Sequence, residues 1–353
     1  MLRPLALLLT AAALLAGCGK SATPAPGAPG SELHLFIWAN YIDPAVLADF
    51  TKETGIKVVE ENFDSNETLR AKLEAGATGY DLITPSDYAV QGLIEAKLLA
   101  ELDLAKLPNL KHLAPRFREI WYDPGNKHSV PYLWGTTGIG YDATKVDPPP
   151  ASWADLLDSA RLEKYKGRIG MLDDAREALG AALKWKGKSL NAVAGADLEA
   201  AKAVLIAQKP FVARYDSETY DDLLLTGDLV MAQGWSGEIA RARMQNPNLR
   251  FVIPKEGGVI WADNLAIPTS AKNKAAALMF IDFVNRPEVG ARIVNFLRYP
   301  SANDGARAHI RPEILNDPQI YPPADVMERL EWIRDVGEAG DLYDRAWTEM
   351  KSE

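Results

Sequence analysis

After a polar stretch ending near Ser31, apolar residues fall into two alternating patterns: short unbroken runs, and positions recurring every three or four residues. Leu33 to Ile37 is a run of the first kind and predicts a strand. Asp43-Pro44 follows, an N-cap residue with proline at the first helical position, and Val46, Leu47 and Phe50 form one buried stripe. Gly55 fits the left-handed position that ends such a helix. Ile56 to Val59 predicts a second strand. Asp64-Ser65-Asn66-Glu67 resembles a capping box opening a helix with Leu69 and Leu73 inward and Gly76 closing it, and Tyr80 to Thr84 predicts a third strand. Strand and helix alternate as βαβαβ, so the expected class is α/β with a parallel sheet.

The N-terminus follows neither pattern. Leu5 to Gly17 is apolar with one basic residue, Arg3, before it, and is too short to span a bilayer. It ends in Leu15-Ala16-Gly17-Cys18, which looks like the lipobox of a bacterial lipoprotein signal peptide, with cleavage leaving Cys18 to carry lipid. Gly19 to Ser31, rich in Gly, Ser, Ala, Thr and Pro, reads as a flexible linker. A periplasmic or cell-surface protein tethered to the membrane by lipid is therefore expected. Cys18 is the only cysteine, so no disulfide staples the body, which its 47% apolar composition must hold by packing. The length remaining after the linker favours two domains or lobes. A formal charge of −9 argues against a nucleic-acid partner and is permissive of a cationic ligand.

Parallel sheets place ligands beyond the carboxyl ends of their strands. There the chain carries Trp38 and Tyr41, then Pro85-Ser86-Asp87-Tyr88. Further strands are predicted at 167–172, leading into Asp173-Asp174-Ala175-Arg176-Glu177, and at 228–234, leading into Trp235-Ser236-Gly237-Glu238. Residues 257–260 lead into Trp261-Ala262-Asp263. Aromatic faces beside carboxylates suit an alkyl amine, whose ammonium needs anionic acceptors and whose methylenes need apolar walls. A sugar also stacks on tryptophan and bonds to carboxylates; acids at several strand ends favour the amine.

At this level the chain resembles bacterial spermidine/putrescine-binding proteins. The resemblance rests on Trp38-Ala39-Asn40-Tyr41, on 52–58 (KETGIKV), Asp64 to Thr68, Asp173 to Glu177 and Pro254 to Gly258. Trp261 to Pro268, Ala271 to Lys274 and Tyr321 to Val326 extend it, in order, across nearly the whole mature chain. It implies a two-lobed periplasmic-binding-protein fold of the second type, with lobe one from residues 32–140 plus 262–307 and lobe two from 141–261 plus 308–353. It further implies a monomeric, non-catalytic receptor without metal or cofactor, delivering a polyamine to an ABC permease whose ATPase is a separate subunit. Position by position, Trp38 and Tyr41 would wall the cleft, Ser86 and Tyr88 supply hydroxyls, and Asp174 and Glu177 face one ammonium with Asp263 at the other side. Trp235, Trp261 and Tyr299 would complete the aromatic box, and Glu238 stands where putrescine-preferring relatives carry aspartate.

The combination of Asp174, Glu177 and Tyr88 favours spermidine over putrescine. Two departures, Ala39 in place of a hydroxyl residue and Ile333 in place of glutamine, remove polar contacts and leave selectivity open. Asp174 with Glu177 also has capping-box spacing, so a structural role stands beside the ligand role. Trp121, Trp153 and Trp185 are expected in the core. Enzyme signatures fail: the four histidines are scattered, Gly234 to Glu238 lacks the final glycine of a nucleophile elbow, and Gly187-Lys188-Ser189 lacks P-loop spacing. A putrescine-only or other small-cation receptor or sensor is the near alternative. A lipoprotein hydrolase or lyase acting on a cationic substrate is the distant one, and an acid–base pair of displaced pKa in the cleft would favour it.

Overall fold

A computed structural model describes residues 31–353; the expected leader, Cys18 and most of the linker lie outside the described residues. Strand β1 (Glu32–Trp38) is flanked in parallel by β2 (Lys57–Phe63) and β3 (Leu82–Ile83). Helix α1 (Pro44–Thr54) begins where Asp43 Oδ1 accepts the Ala45 N–H at 2.9 Å, and ends at Gly55, whose φ is 73°. Val46 and Phe50 are buried beneath it, with Leu47 at the margin. In α2 (Asn66–Glu74) the N-cap is Ser65, whose hydroxyl oxygen accepts the Thr68 N–H at 3.1 Å, so no box closes from Asp64 to Glu67. The third strand is also shorter than the apolar run because the Asp81 carboxylate accepts the backbone N–H groups of His34, Lys272 and Asn273.

The central element is β4 (Ser129–Asp142), buried along its entire length. Its first part, Ser129 to Thr136, pairs antiparallel with β9 (Val259–Ala266). From Thr137 it pairs antiparallel with β7 (Met231–Trp235), and from Ile139 also with β8 (Leu249–Val252). Beyond β7 come β5 (Ile169–Met171) and β6 (Val212–Tyr215), parallel to one another. The spatial order is β2-β1-β3-β9-β4-β7-β5-β6, and a single strand therefore belongs to both halves of the ladder. Each half has its own core, one built around Phe36, Phe50, Phe280 and Trp134, the other around Trp153, Leu179, Leu205 and Met231. This is the two-lobed solute-binding architecture.

Two features depart from the expected organisation. Residues 257–260 do not end in Trp261; β9 continues through it to Ala266, so Trp261 and Asp263 lie within an antiparallel strand and share one face by the two-residue period. The C-terminal segment is divided rather than allotted as 308–353 to one lobe: Ile310, Ile314 and Ile320 join the first core, whereas Tyr343, Ala346 and Met350 of the helix Gly340–Ser352 join the second. Between them β10 (Glu331–Trp332) pairs in parallel with β9.

Candidate functional site

Every proposed ligand residue lines one cleft between the two halves. Trp38 reaches it from the end of β1, Tyr41 from the turn after it, and Ser86 and Tyr88 from the start of α3 (Asp87–Glu95). From the other half come Asp174 and Glu177 at the start of the helix Ala175–Trp185, Trp235 at the end of β7, and Glu238 on the helix Ser236–Ala242. Trp261 and Asp263 project from the middle of β9, and Tyr299 follows the helix Pro287–Leu297. Trp153 is 1% exposed, and Trp121 and Trp185 pack partly buried on the two cores; none of the three lines the cleft.

The aromatic wall is held by close backbone approach. A Cβ on Gly135 of β4 would lie 2.4 Å from the Trp261 ring, and one on Gly237 would lie 2.4 Å from the Tyr299 ring. Only glycine admits those two rings. Tyr299 meets Trp261 edge-on with centroids 5.3 Å apart and Tyr41 at 5.6 Å.

The acids lie in separate surroundings. Asp174 caps its helix, Oδ1 accepting the N–H groups of Arg176 at 2.8 Å and Glu177 at 3.0 Å, while it also lines the cleft. Glu177 does not close a capping box. Its Oε1 accepts the Thr137 hydroxyl at 2.8 Å and the Trp235 indole N–H at 3.3 Å, and its buried Oε2 has no hydrogen-bond partner. Burial, then the charge of Asp174, pushes the Glu177 carboxyl up to about 8. Asp263 is 6% exposed, accepts the Ser86 hydroxyl at 2.6 Å, and is pushed up to about 6 by burial. The Tyr41 hydroxyl lies beside the Asp263 carboxyl, and together with Ser86 it opposes the lift that burial gives. Burial likewise lifts Glu238 to about 7, against the pull of Arg241. Unmet carboxylates in a desolvated cleft are a site for a cation.

Residues 45–322 match the model of a bacterial extracellular solute-binding protein family. The chain belongs to that family. The spermidine/putrescine-binding periplasmic protein of Salmonella typhimurium is 38% identical over 347 residues, covering 98% of this chain and 97% of that one. The putrescine-binding periplasmic protein PotF of Escherichia coli is 38% identical over 337 residues, 91% of each chain. Among solved structures, the spermidine/putrescine ABC transporter substrate-binding protein PotD of Streptococcus pneumoniae superposes with a TM-score of 0.78 at 34% identity, covering 91% of this chain and 99% of that one. The TpPotD lipoprotein of Treponema pallidum gives 0.82 at 28% identity, covering 92% and 100%.

The site of this solute-binding protein includes residues that sequence reasoning passed over. Asn66 accepts the Ser86 backbone N–H and donates to the Tyr88 hydroxyl, both at 3.0 Å, and so sets the start of α3 against α2. Glu67 accepts the Tyr88 hydroxyl at 3.2 Å; burial of its carboxyl and the nearby charge of Asp174 push its pKa up. Both lie in the capping stretch Asp64 to Glu67, where their long-range partners leave no local signal in the sequence. Asp87, 1% exposed, binds the Tyr88 and Ala262 N–H groups and ties α3 to β9. Of the two departures, Ile333 lines the cleft whereas Ala39 is exposed and does not. Among the described residues no His, Cys, Asp or Glu cluster has metal-ligand geometry, and no helix is long and apolar enough to cross a membrane.

Proposed function

We propose that this solute-binding protein is a polyamine receptor that takes spermidine, with putrescine as a second ligand, and delivers it to an ABC permease. One observation carries the reading: two desolvated acidic poles, Asp174 with Glu177 and Asp263 with Ser86, line the same cleft as Trp38, Trp235, Trp261 and Tyr299. An ammonium at each pole restores the charge that burial disfavours, and the alkyl chain between them covers the rings. Asn66 and Asp87 position the hydroxyls and strands around this ligand without contributing its counter-charge. The two halves meet at the ligand, so binding couples to closure about the strand they share. Anchoring by lipid at Cys18 belongs to the same proposal, and a lipoprotein among the structural relatives supports it.

The raised Glu177 beside Asp174 is also what an acid–base enzyme would present. The deciding experiment is calorimetric titration of the mature protein, unfolded, dialysed and refolded to remove carried ligand, with spermidine, putrescine, spermine, cadaverine and a neutral sugar. The receptor reading predicts submicromolar binding of a polyamine, silence from the sugar, and quantitative recovery of the intact amine after prolonged incubation. Silence from all amines overturns the reading, and conversion of the amine establishes the enzyme instead.

A further inference from the structure

Glu238 differs from the other cleft acids in already possessing a cation. Its Oε2 forms an ion pair with Arg241, one turn further along the helix Ser236–Ala242, although the contact lacks the direction of a good hydrogen bond. The same Arg241 Nη2 lies 3.0 Å from Oδ2 of Asp221 on the neighbouring helix Tyr220–Thr226, so the guanidinium is held between two carboxylates. The other oxygen, Oε1, accepts the Tyr299 hydroxyl at 3.2 Å. Tyr299 is 2% exposed, belongs to the first core, and rests against the backbone of Gly237 in the second half of the molecule. Glu238 is thus engaged from both sides. By contrast, Glu177 leaves Oε2 without a partner, and Asp263 is met only by neutral hydroxyls, that of Ser86 at 2.6 Å and that of Tyr41 beside it.

Building on the polyamine reading, we propose that Arg241 is a specificity-determining, positioning residue: it neutralises Glu238 from outside the ligand cleft, so that Glu238 joins the two halves through Tyr299 instead of receiving an ammonium. The number of ligand charges the cleft rewards is then set by the Asp174–Glu177 pole and the Asp263 pole. An amine arriving at Glu238 must compete with a tethered guanidinium that is also held by Asp221, and gains little. Removing Arg241 uncovers a third acidic pole within the same cleft. The more highly charged tetraamine then gains over the diamine, because only the longer ligand brings an additional ammonium.

The test is the ratio of spermine to putrescine affinity, measured by calorimetry on the mature protein carrying Arg241→Gln, Arg241→Lys, Glu238→Gln, or Arg241→Gln with Glu238→Gln. Arg241→Gln is expected to raise the ratio by roughly several-fold at neutral pH and further as pH rises, since the uncovered buried carboxyl must lose a proton before it gains a charge-assisted partner. Arg241→Lys should keep the wild-type ratio, and the double variant should return to the ratio of Glu238→Gln alone. A purely structural role for Arg241 would weaken all polyamines in proportion and leave the ratio unmoved, which overturns the proposal. A general loss of about tenfold or more in Glu238→Gln also overturns it, because Glu238 would then be a ligand group. Should Arg241→Gln fail to fold, Arg241→Met removes the same charge and decides by the same ratio, a rise supporting the proposal and an unmoved ratio overturning it. If the wild-type protein itself binds no polyamine, the receptor reading has failed, an outcome separate from either of these.

Discussion

Replacing Glu177 by glutamine separates the charge of this carboxyl from its shape. The amide retains an oxygen for the Thr137 hydroxyl and the Trp235 N–H, so the change falls on the unpartnered Oε2 side. Truncating one partner of a buried charge pair costs about 2 to 5 kcal/mol, and about 3.5 kcal/mol is a central value. That is not the net effect at neutral pH. With the carboxyl lifted to about 8, the empty cleft holds it protonated at pH 7, and forming the carboxylate costs about 1.4 kcal/mol. The net penalty of Glu177→Gln at pH 7 is then about 2 kcal/mol, roughly 30-fold in Kd.

The sign of the pH dependence follows from the raised pKa. Below it a proton must leave before Glu177 can receive an ammonium, so the contribution of Glu177 to affinity rises with pH up to about 8 and levels off above. Glutamine carries no such proton. The affinity gap between wild type and variant should therefore widen from about fourfold at pH 6 to several hundredfold, roughly, at pH 9. Calorimetric titration of both proteins with spermidine across this range measures the gap directly, and the ligand's own protonation cancels in the comparison. A constant gap, or one that narrows as pH rises, refutes the assignment of Glu177 as a protonated acid poised for a cation.

Two further outcomes follow from the packing. Trp261→Ala should cost about 2 kcal/mol or more of polyamine binding, whereas Trp185→Ala, packed on the second core away from the cleft, should lower the melting temperature and leave Kd unchanged; equal effects on Kd would misplace the aromatic wall. Gly237→Ala forces a Cβ to within 2.4 Å of the Tyr299 ring and should weaken binding about tenfold or more by displacing it, while Gly195→Ala, with no atom within 4 Å of the added carbon, should be silent in the same titration.

The parts of this protein that were legible in its sequence are those decided within about one helical turn. Asp43 and Gly55 bound α1 because a carboxylate two residues back satisfies an orphan N–H and because glycine accepts a φ of 73°. The parallel β2-β1-β3 unit follows from the same local alternation of runs and stripes. Cleft residues were legible where aromatic and acidic types stand at the ends of parallel strands, as at Trp38, Tyr88 and Asp174, and elsewhere through resemblance to a family. Beyond that range the tertiary structure decided. It carried β9 past Trp261 and placed Asp263 within an antiparallel strand, and it divided β4 between two halves. It turned Glu177 away from a capping box towards Thr137 and Trp235, and joined Glu238 to Tyr299. Burial and distant partners decide what a carboxyl does, and both arise only when segments far apart in the chain are brought together. Identical side chains at equally suggestive positions thus became an open pole at Glu177 and an occupied one at Glu238.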